Sequence, residues 1–244
     1  MNRLAIFVAA VALLACVACS KSPGAPRPDS VVQPPSQIVD FKLLYSQNCA
    51  GCHGVNGRGG AAIALADPVF LAIADDTVIR NIATNGVPRT SMPAFAQSAG
   101  GMLTDKQIDA IVRGIRSWAK PDALPNTTPP PYAAQAPGDP QRGANAYRTY
   151  CLSCHGADGR GGSKASSIVD GSYLALVSDQ QLRTTVIAGR PEFGAPDWRS
   201  NVDGRPMSAQ EISDVVAWLS RQRPQFPGQP YAISSIDPAK AESR

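Results

Sequence analysis

The sequence predicts an all-α protein made of two tandem copies of one small helical unit. Three observations carry that expectation: a long internal duplication, apolar residues at helical spacing closing each copy, and no alternating strand pattern. Tyr45-Ser-Gln-Asn-Cys-Ala-Gly-Cys-His-Gly matches Tyr147-Arg-Thr-Tyr-Cys-Leu-Ser-Cys-His-Gly, and Gly57-Arg58-Gly59-Gly60 matches Gly159-Arg160-Gly161-Gly162. Asp67, Leu71, Arg80, Gly86, Pro88 and Pro93 then pair with Asp170, Leu174, Arg183, Gly189, Pro191 and Pro196. Near the end, Ile108, Ile111, Val112 and Ile115 pair with Ile212, Val215, Val216 and Leu219.

Each unit should open with a helix that runs into its cysteines. Ser36 is a plausible cap in the first, and Asp139 with Pro140 suits the start of the second. The last helix should follow Thr104 in one unit and Ser208 in the other. Gly- and Pro-rich loops lie between. With 244 residues, 21 Gly, 22 Pro and 6% aromatic residues, each core is small and needs something to pack against.

The boundaries read as a leader at 1–19, a Pro-rich linker at 20–35, a first domain at 36–120, a second linker at 121–138, a second domain at 139–223 and an irregular tail at 224–244. The second linker carries six prolines, which favours an extended, semi-rigid connector. In the leader, Arg3 precedes an apolar run from Leu4 to Val17, the order of a secretory signal and too short to span a bilayer. Cys16 and Cys19 are candidate lipidation sites: Leu13-Leu14-Ala15-Cys16 fits a lipobox better, while an ordinary cleaved signal is the alternative. Either way the chain is expected to be exported and periplasmic, with a lipid anchor holding it at a membrane surface. Net charge is +4, without a basic run, so nucleic acid is not an expected partner.

Cys49, Cys52, Cys151 and Cys154 form two CxxC pairs, and the only histidines, His53 and His155, follow them directly. Random placement would do this roughly once in 30,000 trials. Two cysteines on one helical turn can form thioethers to the vinyl groups of one haem, and the adjacent histidine then reaches the iron. A redox dithiol or half a zinc site explains neither histidine. Two covalently bound haem c groups are therefore expected, one per unit. Each also supplies the apolar centre that the small domains lack.

Both units resemble class I cytochrome c domains, and the pair resembles a diheme c-type cytochrome, over about residues 36–120 and 139–223. The resemblance implies a methionine, commonly followed by proline, on the far side of the iron. Ser91-Met92-Pro93-Ala94-Phe95 fits, making Met92 the axial ligand, with a core methionine as the alternative. In the second unit Ala195 stands at the corresponding place in Glu192-Phe193-Gly194-Ala195-Pro196-Asp197-Trp198, where the family pattern reads Gly-Met-Pro-Asp-Trp. Met207 is the nearest substitute, yet it aligns with Leu103 and is expected to pack in the core; Met102 is weaker still. That haem is left five-coordinate, water-bound, or bound by Met207 after a loop rearrangement.

The expected function is electron transfer, as a carrier or a subunit of a respiratory complex with redox protein partners, rather than catalysis. The rival is a haem enzyme or small-ligand sensor at the second haem, with Glu192, Asp197 or Arg199 assisting. Arg58 and Arg160 are candidate partners of haem propionates or else solvated loop arginines. Trp118, Trp198 and Trp218 are expected to pack, with no redox role.

Overall fold

The computed structural model describes residues 32–224, so the leader, with Cys16 and Cys19, and nearly all of the tail lie outside the described residues. The chain divides into two compact units, Met1–Ile38 and Val39–Arg244. Among the described residues of the first, a 3-10 turn spans Pro35–Gln37. All ten α-helices described below belong to the second.

In the first repeat these are α1 (Phe41–Asn48), α2 (Ala50–His53), α3 (Pro68–Ile73), α4 (Asp76–Asn85) and α5 (Asp105–Arg116). The second repeats the order with α6 (Pro140–Tyr150), α7 (Leu152–His155), α8 (Gly171–Leu176), α9 (Asp179–Ala188) and α10 (Ala209–Ser220). No β-strand occurs among the described residues; extended backbone pairs at isolated bridges such as Arg190 with Ala195.

Local chemistry sets most of the boundaries. Ser36 does not cap the first helix, because it sits within the 3-10 turn; Asp40 does so, accepting from the Leu43 amide at 2.7 Å. Asp139 caps α6, with Pro140 in its first turn, as the sequence predicts. Thr104 and Ser208 head α5 and α10 in full capping boxes with Gln107 and Glu211, each satisfying two amides that would otherwise lack partners. Asp67 and Asp170 cap α3 and α8 in the same way in both repeats.

The first and last helices of each repeat pack together, α1 on α5 and, more extensively, α6 on α10. Gly143 permits the closeness of the second crossing: a Cβ there would lie 2.0 Å from the Asp214 carbonyl oxygen. Across the repeats, α3 packs on α9. The apolar interiors therefore merge, and one cluster of buried side chains runs from Leu44 through Phe70, Leu71, Ile111 and Leu182 to Leu219.

The 121–138 segment is not a free connector. It begins with a 3-10 turn, Pro121–Ala123, and then lies along the second repeat. Arg183, only 2% exposed, donates to the Pro131 carbonyl at 3.0 Å and the Tyr132 carbonyl at 3.0 Å, and its remaining contacts are the Ala209 carbonyl and the Ser213 hydroxyl. Gln180 adds a bond to Tyr132 O at 2.8 Å. At the far end, the buried Asp214 carboxylate accepts from the Asp139 amide at 2.7 Å, from Arg142 and from Gln210. Prolines stiffen this segment, but fixed donors on the helices decide its path.

Burial tends to raise the Asp214 pKa, yet bonds from Arg142, the Asp139 amide and Gln210 outweigh it, and the carboxyl lies below its ordinary 3.8. A depressed native pKa contributes stability above the unfolded value that is lost as pH falls through the native one. Asp214→Ala should therefore lower the unfolding free energy by ~1–3 kcal/mol near neutral pH, because buried donors lose their acceptor. In thermal melts of the holoprotein, the gap between variant and parent should close below about pH 4.

Candidate functional site

The two CxxCH segments fold into matching single turns. Cys49 ends α1 and starts α2, with His53 N donating to Cys49 O at 3.0 Å; Cys151 and His155 repeat this at 3.0 Å. The cysteines of each pair thus share one turn with the histidine that follows. All four described cysteines are free of disulfides. Burial, then the neighbouring Cys52, pushes the Cys49 thiol up to about 11, and burial and Cys154 push Cys151 up to about 12.

Behind each turn a tyrosine supports the chain. Tyr45 donates its hydroxyl to Gly54 O at 2.8 Å, and Tyr147 does the same to Gly156 O, directly after each histidine. Trp118 meets Tyr45 edge-on at 5.0 Å between centroids, whereas Trp218 stacks on Tyr147 at 4.4 Å. Trp198 is buried beneath the Arg199 guanidinium. All three tryptophans pack, as expected from the sequence.

The imidazoles are the centre of each site. His53 is 7% exposed, and its Nδ1 lies 2.8 Å from the Ile63 carbonyl oxygen. Its Nε2 is buried without a hydrogen-bond partner. Burial is the main cause that lowers the His53 pKa, with Arg190 adding to it and the Ile63 bond opposing it, so the ring is held neutral. A neutral imidazole with one nitrogen fixed by a carbonyl and the other bare is the form that ligates a metal. At His155, which is half-buried, the Nδ1 contact recurs, 2.9 Å from Ser166 O. The second loop is one residue longer, since His53 reaches a carbonyl ten residues on and His155 one eleven residues on. These carbonyl partners are not legible in the sequence, because a backbone oxygen is supplied by any residue type.

On the opposite loop, Gly86 and Gly189 adopt φ of +65° and +69°. A Cβ on Gly86 would come within 2.6 Å of Met92 O, and one on Gly189 within 2.8 Å of Ala195 O. The residue after each glycine then donates its amide across the loop: Val87 to Met92 O and Arg190 to Ala195 O, both at 2.9 Å. Met92 and Ala195 therefore occupy the same place in the backbone. Met92 is half-buried.

Met207 does not approach that place. It is 2% exposed, and its amide bonds to Trp198 O at 2.9 Å as the Leu103 amide does to Phe95 O at 2.8 Å. It packs in the core beside Asn201, while Met102 is 83% exposed. The polar groups near Ala195 are engaged: Glu192 pairs with Arg190 at 2.8 Å, and Asp197 with Arg199 at 2.6 Å. Arg58 bonds to Ala66 O in its own loop and lies 4.0 Å from Asp67, while the exposed Arg160 pairs with Asp158 at 3.2 Å.

The family model of cytochrome c oxidase, cbb3-type, subunit III matches residues 37–113 and again 138–219. The cytochrome c subunit of the Mycobacterium tuberculosis cytochrome bc1 complex is 25% identical over 183 residues, covering 73% of this chain and 61% of that one. The cbb3-type cytochrome c oxidase subunit FixP of Azorhizobium caulinodans is 27% identical over 162 residues, covering 62% and 50%. Subunit CcoP of Azospirillum brasilense is 28% identical over 179 residues, covering 66% and 56%. The chain spans about three fifths of the length of the bc1 relatives. With two matched segments, each containing a CxxCH turn whose histidine is held at Nδ1, the chain belongs to the cbb3-type cytochrome c oxidase subunit III family and is a diheme c-type cytochrome with two covalently bound haem c groups.

Proposed function

We propose that this chain carries electrons in a respiratory assembly outside the cytoplasm, as a carrier or an electron-transfer subunit, and that its two haem sites are unequal. The reading rests on one observation above all: two matching turns each present a histidine oriented by a carbonyl, and in the first the free nitrogen is dry. Residues 36–120 and 139–223 are the two haem domains, Cys49 and Cys52 the attachment pair of the first and Cys151 and Cys154 that of the second. His53 and His155 are the proximal ligands and Met92 the distal ligand of the first site.

Haem supplies a reversible one-electron couple, ferric iron gaining an electron to become ferrous and returning it. The protein orients the ring, excludes water and sets the potential. A thioether ligand raises the potential, so Met92 makes the first site the stronger electron acceptor, and Ala195 leaves the second lower and open on one side. Acid–base catalysis at the open side has little support, since Glu192 and Asp197 are already paired with arginines.

The described residues contain no helix long and apolar enough to cross a membrane. Attachment is attributed to the exported leader, where Leu13-Leu14-Ala15-Cys16 fits a lipobox, with Cys16 as the lipidated residue. The relatives' names, a bc1 cytochrome c subunit and cbb3 oxidase subunits, support a membrane respiratory complex as partner.

The holoprotein should titrate as two one-electron components of different potential, and its reduced form should bind one carbon monoxide. Met92→Ala should bind two; an unchanged optical spectrum and ligand stoichiometry in that variant would remove Met92 from the site. The double variant Cys151→Ser/Cys154→Ser should lose one covalent haem by intact mass while keeping the other. For the anchor, Cys16→Ala should abolish incorporation of labelled fatty acid and Cys19→Ala should not; the reverse pattern would reassign the site.

A further inference from the structure

Arg190 is one point at which the repeats differ in kind. Its counterpart at the start of the opposite loop is Val87, which makes the same backbone bond to Met92 O that Arg190 makes to Ala195 O. The valine has nothing to reach with, whereas Arg190 crosses to the other repeat. Its Nη2 donates to Gly60 O at 2.6 Å, and Nη1 lies 3.4 Å from Ala61 O. These carbonyls belong to the loop whose Ile63 carbonyl orients His53.

The arginine is held from both sides. Its backbone is locked to Ala195 by a two-way bridge, with Arg190 N to Ala195 O at 2.9 Å and Ala195 N to Arg190 O at 3.1 Å. Its side chain is 16% exposed, paired with Glu192 at 2.8 Å and lying over the Phe193 ring at 4.8 Å. The second carboxylate oxygen of Glu192 is buried and has no hydrogen-bond partner among the described residues. Nearby, α3 packs on α9, so the two repeats already share an apolar contact that the guanidinium borders.

Building on the electron-transfer reading, we propose that Arg190 is a positioning residue that fixes the distal loop of the second haem site on the proximal loop of the first. It thereby sets both the relative placement of the two haems and the charge beside the His53 iron. A planar fork suits two adjacent carbonyls, and a lysine does not replace it. The electron itself moves from one ferrous iron, which becomes ferric, to the other ferric iron, which becomes ferrous. No proton is needed.

Charge and clamp separate cleanly by mutation. Arg190→Ala removes a positive charge and leaves Glu192 uncompensated, so the ferric state of the first haem gains and its potential falls. Glu192→Gln leaves an uncompensated cation and raises it. Arg190→Ala/Glu192→Gln restores neutrality and the potential, yet the clamp is still missing. Arg190→Lys keeps the charge and loses the fork.

The test uses full-length diheme protein with haem stoichiometry verified for each variant. Electron equilibration between the haems is followed after flash photoreduction, and protease cutting within 121–130, ahead of the part that Arg183 holds on the second repeat, reports separation of the domains. Arg190→Ala, the double variant and Arg190→Lys should each slow equilibration and speed cutting by at least about fivefold, while the potential of the first haem should follow net charge only. Equilibration and cutting unchanged in all three would overturn the proposal. So would potentials that ignore the charge changes. Loss of reversible redox behaviour in the parent protein would instead defeat the electron-transfer reading on which it rests.

Discussion

Each haem site depends on an imidazole that cannot turn. A ring tethered only through Cβ could present either nitrogen to a metal, and a protonated ring could present neither. Ile63 and Ser166 remove that freedom by offering a carbonyl to Nδ1. Much of the surrounding architecture serves these two contacts. The tyrosines hold the glycine carbonyls after the histidines, and the capped α3 and α8 anchor the loops that carry the orienting oxygens. Cores of this size gain rigidity by packing around such a point.

The sequence disclosed what depends on side-chain identity. The CxxCH turns, the helix starts after Thr104 and Ser208, the Asp139 cap and the alignment of Met92 with Ala195 were all legible, because cysteine, histidine, capping hydroxyls and glycine have chemistry that few other residues supply. Ser36 misled because a hydroxyl upstream of an apolar run is a weak signal beside an aspartate four residues nearer the helix. The carbonyl partners of the histidines and the path of the 121–138 segment were illegible for a different reason: both are set by backbone oxygens. Arg183 and Arg190 looked like ordinary arginines. Their roles come from contacts 26 to 130 residues away along the chain.

Duplication left the frame intact and let the details diverge. The proximal side of each unit keeps its tyrosine, histidine and loop carbonyl, whereas the opposite loop exchanges methionine for alanine and valine for arginine. Both exchanges lie at matching places on one turn of backbone, the first removing a thioether side chain and the second adding a guanidinium that reaches the neighbouring repeat. The Arg190–Ala195 bridge holds the two changes side by side.

The buried Arg183 has a consequence for the environment in which the molecule works. A guanidinium held by a carboxylate loses its partner when the surroundings turn acidic, because the acid takes up a proton. Arg183 is satisfied by the carbonyls of Pro131, Tyr132 and Ala209 and by a serine hydroxyl. Carbonyl oxygens do not titrate in the range where carboxylates and imidazoles do. The middle of the connector therefore stays seated on the second domain as pH falls, while the Asp214 anchorage at its end is the part that acid can release.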